Sequence, residues 1–113
     1  MKRGEVWLVN LDPTIGAEIQ KTRPCVIVNQ DALAKLPLKI VIPLTSWDDR
    51  YANAPWHVKV NPTHLNGLKN ESSADTFQVR SISEKRLVKK FGVIDPPVMG
   101  EINKALAISL ALD

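Results

Sequence analysis

Cysteine and histidine are almost missing from this sequence. Cys25 stands alone among 113 residues, and His57 and His64 are the two histidines. That is too few for a four-ligand Cys/His zinc site, so neither metal nor cofactor is expected. Aromatic residues are also sparse, at 5%. No apolar run approaches the ~18 residues that a membrane span needs; the longest stretches are Ile40 to Leu44 and Ala105 to Leu112. Val6 to Val9 is too short for the apolar region of a secretion signal. These gaps predict a reduced, cytoplasmic, metal-free protein with no membrane segment.

What is present excludes disorder. Apolar residues make up 44% and charged residues 24%, ordinary globular proportions. A chain of this length buries roughly two-thirds of its unfolded surface, which predicts one domain over 1–113 with its own core. Fifteen Lys and Arg against twelve Asp and Glu leave a charge of +3 and a pI near 9.2. The excess permits an anionic partner without demanding one.

Eight prolines and several Asn, Asp and Gly residues cut the first eighty positions into short pieces. Glu5 to Val9 is rich in β-branched and aromatic residues and predicts a strand ended by Asp12-Pro13. Pro24 to Val28 is an unbroken apolar run, as in a buried strand. Asp31 is placed to cap a helical turn that Pro37 ends. Lys39 to Ile42 is a third strand, with Pro43 at a sheet edge or rim. Trp56 to Val60 alternates, which puts Trp56, Val58 and Val60 inward and His57 and Lys59 outward. Asn66-Gly67 marks a turn. Thr76 to Arg80 alternates again, with Phe77 and Val79 on one face.

After Ser83 the period changes to that of a helical turn stopped by Gly92. Asp95-Pro96-Pro97 then opens a C-terminal helix of about sixteen residues, roughly 24 Å long. Val98, Ile102, Ala105, Ser109 and Leu112 form its apolar stripe. Short strands followed by helices predict a mainly β fold, a small, strongly curved antiparallel barrel or sheet with a helix packed on it.

Two segments can carry chemistry. Glu18-Ile19-Gln20-Lys21-Thr22-Arg23-Pro24 is a polar loop running into a buried strand. Pro24 biases Arg23 toward an extended backbone, and a guanidinium held there can clamp a phosphate with two parallel hydrogen bonds. The plainer alternative is an exposed Arg that ends a strand. Thr45-Ser46-Trp47 follows an apolar strand and a rim proline, so its hydroxyls can donate to developing negative charge; equally, they can serve an ordinary turn. Trp47, in a loop, is the aromatic placed to stack on a base, while Trp7 and Trp56 are expected in the core. Cys25, inside an apolar strand, is expected to be an inert small hydrophobe.

These pieces resemble the MazF/PemK family of toxins. Arg3 to Thr14 with Gly16, Glu18 and Lys21-Thr22-Arg23-Pro24 resembles the family's opening. Ile42 to Ser46 resembles its second motif, and Gln78 to Ile82 its third. The resemblance implies a small SH3-like β-barrel of the CcdB/PemK kind with a C-terminal helix. It also implies a homodimer and a cognate acidic antitoxin whose disordered tail covers the RNA groove. The implied activity is metal-independent cleavage of single-stranded RNA, leaving a 2′,3′-cyclic phosphate and a 5′-hydroxyl. By that resemblance Arg23 and Thr45 are catalytic, and Glu18 and Gln78 contact RNA. Gln20, Lys21, Ser46 and Trp47 beside them are further substrate-binding candidates.

Some plasmid-borne members carry a catalytic Arg and Asp where this sequence has Asp75 and Phe77, and a His where it has Ala17. This chain therefore supports the Arg23/Thr45 form of the site. Because an Arg side chain stays protonated, Glu18 is the nearest candidate base. Two alternatives of other classes stay open. One is a gyrase poison of the same fold, which should act through its C-terminal residues, here an amphipathic helix and Asp113. The other is a plain single-strand RNA binder.

Overall fold

The computed structural model describes residues 1–112; Asp113 lies outside them. Over that span the chain forms β1 (Glu5–Asn10), β2 (Thr22–Ile27), β3 (Leu38–Ser46), β4 (His57–Val60), β5 (Ser72–Asp75), β6 (Arg80–Ser83), β7 (Leu87–Val93) and α1 (Pro96–Leu110). Pairing is antiparallel, in the order β4-β5-β3-β2-β1-β7, with β6 also on β3. The nine-residue β3 is the hub: its first half pairs with β6 and its second half with β5. The path ends at β4 and β7 without joining them, so the sheet is bent rather than closed into a barrel.

Both faces of the sheet are covered, which explains the unbroken apolar run in β2. Val6, Val26, Ile42, Leu44, Val58, Val60 and Ala74 form one core together with Ile102 and Ala105 of α1. The alternate residues Val9, Cys25, Ile27 and Val41, with Leu11 and Ile82, form a second, as the two-residue period of a strand requires. Each fully buried aliphatic side chain of this size contributes roughly 1.5–3 kcal/mol. Cys25 is fully buried, and burial pushes its thiol up to about 12, so it stays a protonated core residue. Helix α1 begins with Pro96 and Pro97 in its first turn, but the Asp95 side chain does not cap it. It ends with Ala111 in the left-handed region.

Several local expectations are overturned. Thr76–Gln78 is a 3-10 turn, not part of a strand, and its Phe77 is 65% exposed. Asp75 is the cause: its Oδ1 accepts from the Phe77 amide at 3.1 Å and caps the turn. Strand β7 replaces the helical turn expected to run from Ser83 to Gly92; only Glu84–Arg86 is helical, a 3-10 turn capped by Ser83. Trp56 is 40% exposed rather than in the core, and Trp7 is half-buried with Nε1 donating to Glu5 Oε1 at 2.9 Å. Asp31 does not cap its 3-10 turn; Gln30 stands at that position, and Asp31 Oδ1 accepts from the Arg3 amide at 2.7 Å.

Candidate functional site

The β2–β3 ladder has its last rung at Cys25 and Pro43. Two residues further along each strand, Arg23 and Thr45 hold the next equivalent positions, on the same face. No rung forms between them, and Pro24 offers no N–H to extend the ladder. The strands part there, and a cleft of about 610 Å³ opens between them. Arg23, Thr45 and Ser46 are all among the residues that line it.

Arg23 Nε donates to the Gln20 carbonyl at 2.9 Å. Among the described residues its two terminal nitrogens have no partner, which leaves the fork available to an anion. Other lining residues, Lys69, Asn70, Ser72, Lys89 and Phe91, carry no signal in the sequence. No Asp or Glu is among the lining residues. Three cations and three hydroxyls around a carboxylate-free cleft make a site for a polyanion.

The far wall is a preformed loop. Buried Asn66 accepts through Oδ1 from the amides of Thr63 (3.1 Å) and Leu68 (3.0 Å), and its Nδ2 donates to Asn61 O at 2.9 Å. The turn expected at Asn66-Gly67 is present, with Gly67 at φ +69°.

Glu18 and Gln78 belong to a second cleft of about 400 Å³, together with Phe77 and Arg80. The two clefts flank the end of β3, since Pro43 lines the second and Leu44 and Thr45 the first. Gln78 is not a free amide: its Oε1 accepts from Ile19 N at 2.6 Å, and its Nε2 donates to Ala17 O at 3.1 Å. It clamps the β1–β2 loop. Glu18 uses Oε1 to accept from Ile15 N at 2.6 Å and is not among the residues lining the Arg23 cleft. Among the described residues, the ionisable side chains that line that cleft are Arg and Lys.

Of the remaining candidates, Gln20 supplies the carbonyl that holds Arg23. Lys21 adopts φ +74° and donates its amide to Asp12 Oδ1 at 3.1 Å; its side chain lines neither cleft. Trp47 follows Ser46, is half-buried, and lines neither cleft. Tyr51 meets it edge-on at 5.8 Å between centroids, Lys59 Nζ sits 5.1 Å from its ring, and its Nε1 donates to Asp49.

His57 is not solvated as expected. Its side chain is 7% exposed, stacked on Tyr51 at 3.8 Å, with Nδ1 2.7 Å from Ser73 Oγ. Burial lowers its pKa below the ordinary 6.5, opposed by the Asp75 carboxylate 4.0 Å from Nε2. The folded state thus resists a proton that the unfolded chain accepts, so this contribution is complete above pH 6.5 and lost as the pH falls below it. We expect the urea midpoint to drop between pH 7.5 and 5, and to drop less in His57→Gln. Equal drops in the two proteins would refute the assignment.

Fold and cleft together define the class: a small antiparallel β protein, one helix on its sheet, with an open cationic cleft suited to a polyanion. Over residues 2–110 the chain matches the family described as the PemK-like, MazF-like toxin of type II toxin–antitoxin systems, and it belongs to that family. It is 31% identical over 118 residues to the endoribonuclease MazF9 of Mycobacterium tuberculosis, spanning 99% of this chain and 98% of that one. It is 32% identical over 113 residues to the endoribonuclease EndoA of Bacillus subtilis, spanning 99% and 96%. Among solved structures, an endoribonuclease in complex with its cognate antitoxin from a mycobacterial species shares the fold. Its TM-score is 0.78 at 22% identity, covering 100% of this chain and 97% of that one.

Proposed function

We propose that this chain is an endoribonuclease toxin that cuts single-stranded RNA without a metal and is neutralised by a cognate antitoxin. The observation that carries the reading is the meeting of Arg23 and Thr45 in one carboxylate-free cleft with Lys69 and Lys89. The ribose 2′-hydroxyl gives its proton to water as its oxygen attacks the adjacent phosphorus, the bond to the 5′-oxygen breaks, and that oxygen takes a proton from water. The products are a 2′,3′-cyclic phosphate and a 5′-hydroxyl. Negative charge grows on the non-bridging oxygens, where the Arg23 fork and Thr45 Oγ1 can donate. Holding the 2′-oxygen in line supplies further rate without any titratable group. The substrate must be unpaired, because side chains cannot read the deep groove of an RNA duplex.

The same proposal makes the chain one domain acting as a cytoplasmic homodimer. Ile108, Leu110 and Leu112 leave apolar surface exposed at the end of α1, which a second copy would cover. The basic pI of 9.2 suits an acidic antitoxin as well as RNA.

The test is incubation of the purified chain with long single-stranded RNA in excess EDTA, followed by 5′-end sequencing. We expect new ends that accept phosphate from polynucleotide kinase without prior phosphatase, at a short recurring sequence. A gel shift with no new ends would reduce the protein to a binder. Cleavage lost in EDTA would overturn metal independence, and broken DNA trapped on gyrase would point to the other toxin class.

A further inference from the structure

We propose that Phe77 is the stacking face for one unpaired base of the substrate, and that the second cleft thereby sets part of the sequence preference. This rests on the RNA reading above and deepens it. Phe77 lines a 400 Å³ cleft and is 65% exposed, an uncommon waste of apolar area for an aromatic in a small protein. It is held outward, not left loose. Asp75 Oδ1 caps its amide at 3.1 Å, and the Val79 amide closes the turn onto Thr76 O at 3.3 Å. Behind it, Thr76 is fully buried, with Oγ1 donating to Trp56 O at 2.6 Å. The ring is thus presented on a fixed 3-10 turn at low entropic cost.

The rest of the cleft fits a base edge. Gln78 locks Ala17 and Ile19 on the opposite rim, so that wall is rigid and its amide is occupied. Two polar groups keep capacity. Glu18 has one oxygen bonded to Ile15 N and the other without a partner among the described residues. Arg80 uses Nη1 on Leu11 O at 3.2 Å and retains other N–H groups. A carboxylate accepts from an exocyclic amine, and a guanidinium donates to a ring or carbonyl acceptor. Cytosine, adenine and guanine carry such an amine, with two N–H donors; uracil offers a carboxylate only its single N3–H. The cleft therefore favours an amino-bearing base over uracil. Trp47 is less suited to the task, since it does not line this cleft and Lys59 Nζ already sits 5.1 Å from its ring.

Two measurements test this. The first is anisotropy binding of short single-stranded RNA oligonucleotides in an Arg23→Ala background, which is independent of cleavage. Base–aromatic stacking is worth ~1–3 kcal/mol, so Phe77→Ala should weaken Kd about tenfold. Phe77→Trp should restore it, and Phe77→Leu should not, since Leu keeps apolar bulk without a π face. The second is 5′-end sequencing of RNA cut with Arg23 intact. There Phe77→Ala should blur the preference at one position, and Glu18→Gln should admit uracil at that position. Unchanged Kd in Phe77→Ala, or full rescue by Phe77→Leu, would overturn the proposal. If the parent protein cut nothing while Phe77→Ala still lost affinity, the nuclease reading would fail and the base site would stand.

Discussion

Arg23→Ala should abolish RNA cleavage while leaving the fold intact. Removing one preorganised donor from a developing oxyanion typically costs about 10²–10³ in rate, and Arg23 offers a two-pronged donor. The only hydrogen bond of its side chain within the described chain is Nε to Gln20 O, so little folding energy depends on that side chain. The thermal midpoint should therefore barely move. Arg23→Lys keeps the charge but loses the fork, and should recover only part of the rate. Lys69 and Lys89 offer the contrast. They lie in the same cleft as point charges, so the double variant Lys69→Ala/Lys89→Ala should act on binding. Its salt slope should shrink by about 1.4, at about 0.7 per phosphate contact on a single strand. A full-rate Arg23→Ala enzyme on single-stranded RNA would remove the foundation of the site.

How much of this site was legible beforehand follows from the physics of each part. Arg23 and Thr45 are 22 positions apart, yet each announced itself locally, as a polar residue at the mouth of an apolar strand beside a proline. Register then brought them together. Lys69, Asn70, Ser72, Lys89 and Phe91 carried no such mark, because a cleft wall made of loop and edge strand has no periodicity. Strand β5, Ser72–Asp75, is small and polar, and its burial comes entirely from lying between β3 and β4. Strand β7 was hidden by Lys89 and Lys90 and by Gly92, which together suggested a turn. Phe77 misled in the opposite direction. Its alternation with Val79 resembles a strand, but the side chain of Asp75 captures the amide and curls the segment. The family resemblance implies that Gln78 contacts RNA, and two backbone groups 59 and 61 residues away in sequence occupy its amide; no local pattern can reveal such a bond.

The other large effect concerns stability, at Gly92. Strand β7 pairs Val6 with Gly92 but Trp7 with Lys90, so the ladder slips at Phe91. A bulge of this kind bends its strand and re-aims a side chain, and Phe91 is the β7 apolar residue that reaches the Arg23 cleft. The 61–67 loop lies directly over this bend: Val93 donates to Leu65 O at 2.8 Å. A Cβ on Gly92 would fall 2.0 Å from Leu65 O and 2.7 Å from Asn66 C. Both are backbone atoms, and Asn66 is pinned by its own hydrogen bonds, so the loop cannot swing aside cheaply. Gly92→Ala should cost about 3 kcal/mol or more, the range of severe overpacking. For a domain of this size that is roughly 13 °C in Tm. Because the displaced loop carries Gly67 and leads directly into Leu68, Lys69 and Asn70 of the cleft wall, RNA affinity should fall even in protein that remains folded. Gly100→Ala is the matched control, since nothing lies within 4 Å of its added Cβ and a helix gains up to about 1 kcal/mol from Ala over Gly. A Gly92→Ala protein that melts with the parent would mean the loop is not seated on β7, and the cleft would lose its far wall.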